Sequence, residues 1–132
     1  MNKLVKGAIA AAVATVVVGC AQTVSYPTAE ITAGAEVFRK CISCHSADPA
    51  RKTFGPQLMG VLGRKAGTFP GFEYSDALKN STIVWDDNYL IEWMSGNTKI
   101  VTGTRMRHVS VTDVADQDHL LAYIKHISKD TK

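Results

Sequence analysis

The sequence predicts an all-α domain of helices and long loops, and three features carry that prediction. Two stretches place apolar residues at helical spacing: Ile31, Ala35, Phe38 and Ile42 early in the chain, and Val114, Leu120, Leu121, Ile124 and Ile127 near its end. No segment shows the period-two alternation of a half-buried strand. Between the periodic stretches, residues 46–73 are rich in Gly and Pro and read as one long loop.

Ahead of the first helix the chain carries a leader. Lys3 and Lys6 precede an apolar run from Gly7 to Ala21, broken by Thr15, which is the layout of an export signal. The run is 15 residues long, whereas spanning a bilayer takes about 20. Residues 1–19 are therefore expected to be cleaved, with an uncleaved anchor as the alternative. The leader ends in "VVVGC", which resembles a bacterial lipobox with Val17 standing where leucine is usual. Cleavage before Cys20 would then be followed by acylation of its sulfur. The competing reading is ordinary signal cleavage after Ala21, where Gly19 and Ala21 supply the small residues; Cys20 would be discarded and the protein would be soluble in the periplasm. Lipidation is favoured because it disposes of a third thiol that would otherwise be stray in an oxidising compartment.

Loss of the leader also changes the charge. The chain has 15 basic and 12 acidic residues, and removal of Lys3 and Lys6 leaves a net of +1. No run of basic residues exceeds two, so the stripe that a phosphate backbone requires is missing and nucleic acid is not an expected partner. Residues 20–29 are polar and contain Pro27; they read as a tether to a domain spanning 30–132.

Within that domain Thr28 or Thr32 is placed to cap the first helix, which Gly34 weakens locally. Short helical patterns follow at 75–80 and 86–96, the second with Asp86 and Asp87 in its first turn. The last helix has Asp113, Asp116 and Asp118 near its start and Lys125, His126 and Lys129 near its end, which suits the helix macrodipole.

The first helical pattern runs into Cys41-Ile-Ser-Cys44-His45. A structural zinc site wants four ligands, and the remaining cysteine, Cys20, lies in the leader region. A thioredoxin-like pair belongs in a βαβ setting, and strands are not predicted. Covalent haem attachment remains. On one turn of helix this spacing lets each thiol add across a vinyl group of a porphyrin while the imidazole of His45 points at iron.

A second axial ligand decides what such a haem does. Met59, Met94, Met106, His108, His119 and His126 are the downstream candidates. Met94 sits inside a helical pattern, where a thioether is usually core filler, and His119 and His126 fall on the polar side of the last helix. Met106 stands apart, an apolar side chain in the polar, glycine-bearing loop "KIVTGTRMRH".

The segments "GPQLMGVLGRKAG", "PGFEYSDALKNSTIVWDDNYLIEWM", "GTRM" and "LLAYIKHI", taken in this order, resemble the class I cytochrome c family, in its mitochondrial and photosynthetic-bacterial branch. The resemblance extends from Gly34 to Ile127. It implies a small cytochrome c fold of four to five helices and loops wrapped around one covalently bound haem c. Cys41 and Cys44 would be the thioether anchors, His45 the proximal ligand and Met106 the distal one. Pro56 would hold the imidazole N–H through its carbonyl, and Arg64, Tyr74 and Trp85 would face the haem propionates. Gly34 and Phe38 would meet Leu120 and Tyr123 where the first and last helices cross.

Four positions depart from the family pattern. Thr102 replaces a proline before Gly-Thr-x-Met, which predicts a more mobile ligand loop. Trp93 replaces the tyrosine that usually bonds the methionine sulfur, Leu78 replaces an asparagine, and His108 replaces an aromatic residue over the haem edge. The function implied is single-electron transfer, not enzymatic catalysis, since two filled axial positions close the iron to oxygen and peroxide. The expected partners are a membrane donor such as a quinol-oxidising complex and an acceptor such as a terminal oxidase, reductase or reaction centre. The protein would be a periplasmic monomer with a lipid anchor at Cys20. Alternatives are a haem-bearing subunit of a larger oxidoreductase, or a ligand-binding or peroxidase-like protein if Met106 is displaced.

Overall fold

The computed structural model describes residues 28–107 and 109–129. They contain four helices: α1 (Ala29–Phe38), α2 (Asp76–Lys79), α3 (Asp87–Ile100) and α4 (Val114–Lys129). The proposed leader and tether up to residue 27, with Cys20, lie outside the described residues, as does His108.

Each helix begins on a side-chain cap of the type that satisfies an orphan N–H. Thr28 accepts from the Ile31 amide at 3.4 Å, while Thr32 lies inside α1 and donates back to the Thr28 carbonyl at 3.3 Å. Ser75 caps α2 by accepting from Leu78 N, Asp86 caps α3 by accepting from Tyr89 N at 2.8 Å, and Asp113 accepts from Asp116 N at 3.0 Å.

Three features differ from the sequence reading. Helix α1 stops at Phe38, and Ile42, counted in its apolar stripe, is 52% exposed. The chain there tightens into successive turns, so helical phase no longer decides which side chains are buried. Val114 is 69% exposed at the first residue of α4; buried Gln117 takes the corresponding place in the stripe. Its amide donates to the Val111 carbonyl at 2.7 Å and to Ser95 Oγ at 3.3 Å, which is what permits a polar side chain there. Helix α3 runs four residues past the predicted end at 96, to Ile100, across a break at Gly96.

Strand structure among the described residues is limited to an isolated antiparallel bridge between Lys65 and Val84. Ala66 N donates to the Ile83 carbonyl at 2.8 Å and Trp85 N to the Arg64 carbonyl at 3.0 Å. These bonds fold the long loop back against the segment before α3.

Helices α1 and α4 cross at Gly34. A Cβ at that position would lie 2.0 Å from the His119 carbonyl oxygen and 2.7 Å from Tyr123 Cβ, so a hydrogen is the largest group the crossing admits. One turn on, the rings of Phe38 and Tyr123 pack with centroids 5.2 Å apart, and Leu120 is buried beside them in the core. The crossing places the C-terminal end of α1, and with it the cysteine-bearing turn, against the rest of the domain.

Candidate metal centre

After α1 the backbone continues through Cys41 N to the Phe38 carbonyl at 2.7 Å, then turns so that both Cys44 N and His45 N donate to the Cys41 carbonyl, at 3.0 and 2.9 Å. One carbonyl thereby gathers the whole C-x-x-C-H segment into a single turn. Both cysteine side chains are half-buried. Burial raises the Cys41 thiol above its usual range, opposed by nearby Lys40, with Cys44 adding to the rise.

His45 is 5% exposed, and its Nδ1 lies 2.7 Å from the Pro56 carbonyl oxygen. A carbonyl can only accept, so Nδ1 carries the proton and Nε2 keeps its lone pair. Burial lowers the proton affinity of the imidazole, with the Pro56 bond opposing. The ring is therefore neutral and oriented, as a metal-ligating histidine must be. Gly55 completes the cradle: a Cβ there would stand 2.7 Å from His45 Cε1 and 2.7 Å from the Cys44 carbonyl oxygen.

Met106 lies on the loop after α3 and is partly buried. Trp93 Nε1 donates to its sulfur at 3.1 Å, so the indole N–H takes the part of the tyrosine hydroxyl it replaces. Asn97 Nδ2 donates to its carbonyl at 3.0 Å, and its own amide donates to Thr104 Oγ1 at 3.4 Å. Asn97 was absent from the sequence reading, which ended the helix one residue earlier. The remaining legible signal was an i, i+4 spacing from Trp93.

Trp93 also links the methionine to a wider aromatic wall, since its ring meets Trp85 edge-on at 5.1 Å. Leu78 is buried in the same core. Arg64 donates to the Gln57 carbonyl at 2.9 Å and the Met59 carbonyl at 3.4 Å, and its guanidinium lies 4.9 Å from the centre of the Phe69 ring. Burial raises the Tyr74 hydroxyl, while Arg64 and a backbone bond to Phe69 pull it back. Arg64 and Tyr74 thus share one neighbourhood; Trp85 adjoins it through its amide bond to the Arg64 carbonyl and links it to Trp93, whose indole meets Met106. The other candidates serve elsewhere. Met94 is buried, with its carbonyl accepting from Val111 N at 2.8 Å; His119 belongs to the α1 crossing, and His126 lies in the last turns of α4.

Two thiols on one turn, an imidazole with a free lone pair and a thioether make up a donor set that fits a covalently held iron porphyrin. Known proteins agree. A profile of the family "Cytochrome c" matches residues 31–128. Cytochrome c2 of Rhodoblastus acidophilus is 42% identical over 99 residues, covering 74% of this chain and 92% of its own. Cytochrome c-550 of Bradyrhizobium diazoefficiens is 33% identical over 133 residues, covering 100% of this chain and 98% of its own. Among solved structures, cytochrome cH from Methylobacterium extorquens superposes with a TM-score of 0.68 at 37% identity, over 73% of this chain and 97% of that one. The chain therefore belongs to the cytochrome c family, as a class I electron carrier with one covalently bound haem c.

Proposed function

We propose that this cytochrome shuttles single electrons in the periplasm, from a quinol-oxidising membrane complex to a terminal oxidase, reductase or reaction centre. Cys41 and Cys44 bind the haem covalently, His45 and Met106 are its axial ligands, and Arg64, Tyr74 and Trp85 face its propionates. The bound haem supplies a one-electron ferrous–ferric couple. The chain's own residues keep that couple closed to other chemistry. Pro56 fixes the imidazole tautomer through the 2.7 Å bond to Nδ1, and the Trp85–Trp93 wall borders Met106 with apolar surface.

The observation that carries the shuttle reading is the hold on Met106, whose amide, carbonyl and sulfur are each hydrogen-bonded. A residue meant to swing away for oxygen or peroxide would not be tied at three atoms. Docking is supported by charge. Arg51, Lys52, Lys65, Lys99 and Arg107 are exposed, and no ion-pair partner for them stands among the described residues. Lys40, Lys79 and Lys125 are by contrast paired with Asp116, Glu73 and Asp87. Unpaired cations steer a carrier toward acidic partners. Lys3 and Lys6 ahead of the apolar run from Gly7 to Ala21 support reading residues 1–19 as an export leader. The proposed tether, acylated at Cys20, then ends at Thr28, the cap of α1, so the haem domain begins two residues earlier than position 30.

Met106→Ala tests the ligand assignment. It should lower the reduction potential and admit carbon monoxide and cyanide. If His108 moves into the place of the sulfur, the single variant stays closed but drops in potential, and Met106→Ala with His108→Ala opens it. A single variant with the wild-type spectrum and potential would refute Met106 as ligand.

A further inference from the structure

Asn97 is a polar side chain with almost no access to water, 2% exposed, in a helix whose other buried residues are Leu90, Trp93 and Met94. Burying an amide is unfavourable unless its hydrogens find acceptors. Its Nδ2 finds one in the Met106 carbonyl at 3.0 Å. Packing alone would be served better by leucine at this position, so the amide is there for the bond.

The backbone arranges this meeting. Trp93 and Asn97 both reach Met106 although the chain between them is not continuous helix. Between them Gly96 leaves helical geometry, with φ 177° and ψ 91°, and Asn97 opens the last turn, its carbonyl accepting from Val101 N at 3.0 Å. The chain then reverses at Gly103, φ +90°, and returns Met106 to the same helix. Trp93 takes its sulfur and Asn97 its carbonyl. The two bonds act on opposite ends of one residue, so together they define where the sulfur can be and not merely that the loop is closed.

We propose that Asn97 is a positioning residue for Met106, fixing the backbone of the sixth-ligand loop so that methionine detachment from iron is rare. The inference rests on Met106 being the distal ligand. Asn97 touches neither iron nor porphyrin in this role; it acts through the Met106 carbonyl. Trp93 and Asn97 would be energetically coupled, since each holds the residue in the place where the other can bond it.

The test uses the full-length holoprotein. Asn97→Leu keeps the volume and removes the amide, and Trp93→Phe keeps the ring and removes the N–H. Three readouts are taken: the methionine–iron absorption band of the ferric protein, its reduction potential, and the rate of cyanide binding, which requires the sulfur to leave. Loss of one such hydrogen bond should raise the detached population, and with it the cyanide rate, by about three- to tenfold. The band should weaken and the potential fall, and the double variant should depart from the product of the single effects. Should Asn97→Leu yield no holoprotein, Asn97→Ser, smaller and without the amide, is read in the same way. A variant that melts earlier yet binds cyanide within twofold of wild type, with an unchanged potential, would show that Asn97 is structural only. Met106→Ala separates that failure from failure of the ligand assignment: a wild-type spectrum in Met106→Ala removes the premise itself, and the inference with it.

Discussion

Gly34→Ala should destabilise the holoprotein although alanine is the better helix former. The added Cβ would sit 2.0 Å from the His119 carbonyl oxygen and 2.7 Å from both the His119 carbonyl carbon and Tyr123 Cβ. Two of these atoms are backbone, which cannot turn aside as a flexible side chain can. Relief requires α1 and α4 to separate by about 1 Å, in an interior that tolerates little change of volume. That opening also strains the Phe38–Tyr123 ring contact at 5.2 Å. Overpacking of this kind costs about 3 kcal/mol at the upper end of its usual range, and replacing a mid-helix glycine returns about 1 kcal/mol. The net loss is about 2 kcal/mol, which should lower the guanidinium midpoint by roughly 0.5–1 M. Denaturation followed by tryptophan fluorescence measures it. Gly63→Ala is the control, because a Cβ there meets nothing within 4 Å and only its φ of +78° opposes substitution. At Gly34 the loss should grow steeply from alanine to valine. A Gly34→Ala protein as stable as wild type would refute the steric account of the crossing.

Other outcomes follow from the same framework. Haem should remain on the protein through boiling in denaturant, and Cys41→Ala or Cys44→Ala should weaken that retention, since each thioether is a separate covalent bond; a wild-type band that loses haem would refute covalent attachment. Cys20→Ala should shift the protein from membrane to soluble fraction with an unchanged haem spectrum, because several acyl chains anchor stably where one binds marginally; wild type recovered as soluble protein beginning at Gln22 would refute lipidation. Electron transfer to an acidic partner should slow as salt rises, given the unpaired cations around Arg51, Lys52 and Arg107, and neutralising Lys52 should flatten that dependence. Phe54, 87% exposed two residues from Lys52, should contribute affinity that salt leaves unchanged, measured by comparing Phe54→Ala at low and high ionic strength.

What the sequence revealed depended on whether local pattern or tertiary context set each residue's environment. The first and last helices were legible because their partners bury a continuous face, and Gly34 was legible through the resemblance. Ile42 and Val114 were misassigned because they lie where helical phase has just ended or just begun, and periodicity carries no information past a terminus. Gln117 was missed because polarity argued against burial; only the positions of the Val111 carbonyl and Ser95 Oγ make it acceptable. The turn from Cys41 to His45 stood out as a contiguous motif, whereas the His45–Pro56 bond was anticipated only through the resemblance. The distal half was readable only in part: Met106 stood out as an apolar residue in a polar loop, whereas Asn97 became visible only once α3 was seen to pass Gly96.

That extension of α3 bears on the missing proline at Thr102. A proline there would restrict the loop chiefly by limiting its unfolded conformations, an effect of about 0.4–1 kcal/mol. Thr102 instead donates through Oγ1 to the Thr98 carbonyl at 3.3 Å, tying the loop to the last turn of α3. The Asn97 and Trp93 bonds add two further ties to the same helix, each of a kind worth about 0.5–1.5 kcal/mol. The Trp93 bond stands in for the tyrosine's, so the compensation lies in the Thr102 and Asn97 bonds, which are comparable in size to the lost backbone constraint and oppose the mobility that the absence of proline alone would predict. They also differ from it in kind. Proline restricts the chain whether or not the haem domain is formed, whereas these bonds exist only when α3 and the loop are both in place. The restraint on Met106 is therefore cooperative with the fold: conditions that fray the last turn of α3 should loosen the Met106 loop as well.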